Sequence, residues 1–136
     1  MASGLYTTYK QSCLSYSPST DIDTDTIKAR LVNTGTDYTY SAAHDFIDDA
    51  TAYSGTTDQT LSNKTVTGGV FDNTAVITFS AVAIDGAKDA DAVVIYKDTG
   101  TATTSPVIAF LEFAAAVTPN GGDIEVDWNA SGLFAL

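Results

Sequence analysis

Turn-forming residues recur so closely along this 136-residue chain that few long regular elements fit between them. Ser17-Pro18, Thr34-Gly35, Gly68-Gly69, Asp85-Gly86, Pro106 and Thr118-Pro119-Asn120-Gly121-Gly122 each break the pattern. Proline fixes φ and lacks an N–H, and glycine reaches positive φ, so such clusters turn the chain. The stretches between them alternate apolar and polar side chains, the period of a half-buried strand. Ile27, Ala29 and Leu31 share one side, with Lys28, Arg30 and Val32 on the other. Val107, Ala109, Leu111 and Phe113 form a second such stripe, and Ile124, Val126 and Trp128 a third. Ala92 to Tyr96 is a continuous apolar run, which predicts a central strand covered on both faces.

With further candidates at 37–40, 59–67 and 75–81, the count comes to about seven or eight short strands. Ala42 to Ala50 reads as a short helix anchored by Phe46 and Ile47. One more helix is expected over residues 3–14, where Leu5, Tyr9 and Cys13 fall at i, i+4 and i+8 and Ser3 stands as the N-cap. The reading is therefore all-β. It is one domain over 1–136, an antiparallel β-sandwich or jelly-roll-like barrel, with residues 1–16 as a helical N-terminal segment. Helices long enough to separate parallel strands are missing, which disfavours an α/β sheet.

Charge narrows the partners. Seventeen acidic residues face six basic ones, for a net charge of -11. Such a surface repels nucleic acid and anionic membranes and favours docking on basic protein surfaces. Cys13 is the single cysteine, so no intrachain disulfide forms. Met1-Ala2-Ser3-Gly4 carries no signal-peptide pattern, and no apolar run approaches the ~20 residues of a membrane span.

No catalytic constellation emerges. Nucleophilic catalysis needs a base beside the nucleophile, and His44 is the only histidine, with no Gly-x-Ser-x-Gly elbow present. Asp21-x-Asp23-x-Asp25 opens like a calcium loop, but Thr26 stands where glycine makes the sharp turn and Val32 where glutamate binds bidentately. Asp45, Asp48 and Asp49 leave a looser calcium site open. One histidine and one cysteine do not make a zinc site. The expectation is a non-enzyme without cofactor or metal. Tyr6, Tyr9, Tyr16, Tyr38, Tyr40 and Tyr53 fit an adhesive surface or strand packing equally.

Several stretches resemble small virion structural proteins of tailed bacteriophages, in the same order. They are Thr26-Ile-Lys-Ala-Arg-Leu-Val32, Tyr38 to Phe46, Lys64-Thr-Val-Thr67, Val94-Ile-Tyr-Lys-Asp-Thr-Gly100, Ser105-Pro-Val-Ile-Ala109 and Thr118-Pro-Asn-Gly-Gly-Asp-Ile124. The likeness covers most of the chain, while Ala50 to Thr60 is less typical. It implies a head decoration, or cement, protein with no catalytic motif. Such a protein is made in the host cytoplasm and ends on the capsid surface. Its partners are the major capsid protein and copies of itself. Apolar residues near the termini, Leu5, Tyr6, Tyr9, Phe134 and Leu136, are the expected subunit interface, acting as arms over neighbours. The other readings are a tail, neck or fibre component, and a carbohydrate- or receptor-binding β-module that stacks sugars on Trp128 or exposed tyrosines.

Overall fold

The apolar run is the centre of the molecule. A computed structural model describes residues 3–14 and 21–135. In it Ala90–Lys97 (β7) is buried along nearly its whole length and lies between two antiparallel partners. Ile27–Val32 (β2) pairs on one side, with Leu31 opposite Val93 and Ala29 opposite Ile95. Val107–Val117 (β8) pairs on the other, with Leu111 opposite Val93 and Ala109 opposite Ile95. Gly4–Leu5 (β1) adds to the outer edge of β8, and Gln59–Thr60 (β3) to that of β2. The result is a five-stranded antiparallel sheet in the order β1-β8-β7-β2-β3.

A second, broken layer completes an all-β, sandwich-like fold with one short N-terminal helix. Lys64–Thr67 (β4), Val70–Asn73 (β5) and Phe134–Ala135 (β10) form a three-stranded sheet, and Ile77–Phe79 (β6) pairs with Ile124–Val126 (β9). The large side chains of both layers merge into one core cluster. Gly68 and Gly69 join β4 to β5 with φ of 59° and 79°. A two-residue hairpin loop with both residues at positive φ matches the twist of the strands it joins, so Gly-Gly here is a hairpin rather than simple punctuation. Gly132 has φ of 102°, and a Cβ there would meet Val70 and come within 2.9 Å of the Phe71 carbonyl. Only glycine lets the chain pass this closely into β10.

The helix is shorter than the residues 3–14 expected. Thr7–Leu14 (α1) is helical, whereas Gly4 and Leu5 are a strand and Ser3 is no N-cap. The Ser3 hydroxyl instead accepts the Glu112 N–H at 2.9 Å, because pairing to β8 claims this stretch first. The 42–50 stretch yields only a 3-10 turn at Ile47–Asp49, and 37–40 forms no strand. The 59–67 candidate is split into β3 and β4.

A long connection, residues 33–58, crosses the other face of the five-stranded sheet and is held there by polar bonds. Arg30 donates to both carboxylate oxygens of Asp58, and through its second terminal nitrogen to the carbonyls of Ile47 (3.1 Å) and Ala50 (2.6 Å). The Tyr96 hydroxyl donates to Asp58 at 2.5 Å. Tyr53 lends its N–H to the Leu31 carbonyl, extending the β2 ladder past β3. Lys88 bridges Asp37 (2.8 Å) and Asp85 (2.7 Å) with its ammonium over the Tyr53 ring.

Candidate interaction surface

Of the residues considered for catalysis or metal binding, His44 and Asp25 are engaged by neighbouring groups. His44 Nδ1 lies 2.9 Å from the Tyr38 hydroxyl, which lies 2.6 Å from that of Tyr6. Burial first, then the bond to Tyr38, pushes the Tyr6 phenol far above its ordinary pKa. Burial and the bond to Asp58 do the same to Tyr96. In the acidic loop Asp25 accepts the Asp21 N–H at 2.8 Å and pairs with Lys97 at 3.0 Å. Burial raises its pKa, but the Lys97 and Asp21 contacts outweigh that and the net shift is downward. Asp45, Asp48 and Asp49 are exposed around the 3-10 turn, and no cluster of three metal-ligating side chains occurs among the described residues. Among the same residues no helix is long and apolar enough to cross a membrane.

The expected terminal arms turn inward. Tyr6 is fully buried and Tyr9 nearly so, which removes their side chains from any surface. Leu5 is half-buried against the core from its place on β1. Phe134 is half-buried, with Tyr9 edge-on at 6.1 Å and Phe71 at 5.4 Å. Helix α1 and β10 therefore meet through Tyr9 and Phe134, a contact that buries aromatic area within the monomer. Leu136 and Tyr16 lie outside the described residues. Of the remaining tyrosines, Tyr38 and Tyr53 are core, and Tyr40 stacks on Phe110 at 4.9 Å.

The unfinished part of the surface lies elsewhere, along the far half of β8. Its pairing with β7 jumps from Ala92–Glu112 to Ala90–Val117, so two steps on β7 span five on β8. Among the described residues no strand pairs with Phe113 to Ala116. A bulge of this size bends a strand out of its ladder and leaves backbone groups unpaired. Edge strands are normally blunted by charge or proline. Here the run is Phe113-Ala114-Ala115-Ala116-Val117, without a single polar side chain, and it is exposed from Ala114 onward. Five consecutive apolar residues in that position are a liability unless they serve a contact.

Beside this edge runs an open groove of about 570 Å³. Val93 and Leu111 lie within it, β8 forms one wall, and β9 with the following turn forms the other. All five residues from Ile124 to Trp128 line it, as happens when a strand turns its edge rather than one face to a space. Among the described residues β9 pairs only with β6, so its other edge has no ladder there. Trp128 stands in the wall, its indole N–H shielded from solvent and without an acceptor among the described residues. A shielded donor left without an acceptor costs about 1–3 kcal/mol.

The stripe of Val107 to Phe113 marks only the first part of β8, which runs on to Val117, and Trp128 falls just beyond β9. The signal for the rest was the apolar run continuing to Val117 with no charge to protect it. No protein-family model matches this sequence, and no curated protein matches it.

Proposed function

We propose that this chain is a structural protein of a tailed-bacteriophage virion. It is a decoration, or cement, protein that binds the outer head surface and stabilises contacts between major capsid subunits. The observation that carries the reading is the bare apolar end of β8 beside the β9 groove, a sheet edge finished for a protein contact rather than for solvent. The ordered set of stretches resembling phage virion proteins supplies the partner class. The charge of -11 suits a protein that is soluble alone and must not adhere to packaged DNA. Binding across the seams between subunits stabilises the shell by mass action, and many equivalent copies multiply a modest affinity.

The test mixes purified protein with expanded phage heads that lack it and sediments the mixture. The reading predicts saturable, stoichiometric co-sedimentation and heads that resist heat better. If the protein stays in the supernatant, the head assignment is wrong. Trp128 in the groove wall gives a glycan-binding module as the second reading, tested by a glycan array. Tail, neck and fibre components are tested by the same sedimentation with isolated tails.

A further inference from the structure

We infer that the seam between β8 and β9 takes an extended segment of a partner protein as an added β-strand, and that this segment alternates apolar and basic side chains. The inference rests on the reading of this seam as a protein-binding surface and names the chemistry of its occupant. Three observations carry it. First, both walls present strand edges without ladder partners among the described residues, Phe113 to Ala116 on one side and the outer edge of β9 on the other. An extended backbone satisfies such edges with main-chain hydrogen bonds, and alternate side chains then fall into the apolar floor. Second, the groove presents the half-buried apolar side chains Leu111, Phe113 and Leu133, which match the apolar side chains of an added strand. Third, the lining carries Glu112, Glu125 and Asp127 and no basic side chain. With a net charge of -11 on each copy, a second copy of this chain is repelled and a basic segment is attracted.

Trp128 is the only tryptophan, so its fluorescence reads the groove directly. The probes are three blocked synthetic heptapeptides: one alternating lysine and valine, one alternating glutamate and valine, and the lysine–valine peptide with alternate backbone nitrogens methylated. The expected result is a saturable shift of Trp128 emission with the lysine–valine peptide. Its affinity exceeds that of the glutamate–valine peptide at least tenfold, falls with added salt, and drops at least tenfold on N-methylation. Equal binding of the methylated peptide overturns strand addition, and equal binding of the acidic peptide overturns the basic partner. If no peptide binds while whole heads do, strand addition fails and the head assignment stands. Peptide binding without head binding leaves the strand site and removes the head assignment.

Discussion

The two sides of the central sheet are finished in opposite ways. Over one face lies residues 33–58, a connection with almost no regular structure, yet it is pinned at Arg30, Tyr53, Tyr96 and Lys88. On the other side the groove runs along β8, the 11-residue strand in which Phe113 to Ala116 have no ladder partner among the described residues. The irregular region is the settled one and the regular strand is the unsettled one. Order in a protein follows from satisfied polar groups and buried area, not from how regular the backbone looks.

The largest effect is expected where the loop is pinned. Arg30→Ala leaves Asp58 without its cationic partner and removes the donor to two carbonyls in a mostly buried site, and about 3 kcal/mol of stability is lost. Urea denaturation measures it, and a change below about 1 kcal/mol would mean the loop is held by other contacts. Tyr6→Phe removes one member of the Tyr6–Tyr38–His44 chain and costs about 1 kcal/mol by the same assay.

pH probes the same pins. Asp98 is held below its ordinary pKa first by the hydrogen bond from Lys28 and then by the Gly100 N–H, and Asp25 is lowered chiefly by Lys97. Both carboxylates take up protons more readily unfolded than folded. Their contribution is therefore present above the unfolded value of about 4 and is lost as pH falls below it. At the other end, Tyr6 and Tyr96 are raised, so the unfolded phenols ionise first and stability falls as pH rises above about 10. A melting-temperature profile flat between those limits and declining outside both is the expected result.

The smallest effects on stability are expected at the seam. Ala115→Lys places a charge on an exposed position without a ladder partner and changes stability by less than about 0.5 kcal/mol. The same change sets a lysine against a basic partner, and head binding weakens at least tenfold. A variant that melts early instead would show that the β8 end is structural after all.

The strand stripes were legible because period-two burial is local. The alternation of Ile27 to Val32 matches its strand, as does that of Ile124 to Val126, where the strand stops short of Trp128, and β7 is buried along its apolar run. β5 was missed, although Gly68-Gly69 between Lys64–Thr67 and Val70–Asn73 carries the signal of a two-residue hairpin. The early helix start at Ser3 failed because Gly4 and Leu5 pair with a strand more than a hundred residues away, which no local pattern reveals. The terminal aromatics were read as outward arms because sequence gives no account of where the two ends meet. Tyr9 against Phe134 is a tertiary fact. The seam was hidden for a related reason, since it depends on a register jump in β8.

The most direct measurement is amide hydrogen exchange on the free protein and on the protein bound to heads. The account predicts that residues 113–116 exchange quickly when free and become protected on the shell, while the Tyr53 amide bonded to Leu31 stays protected throughout. Unchanged exchange at 113–116 on fully occupied heads, with new protection appearing elsewhere, would contradict it.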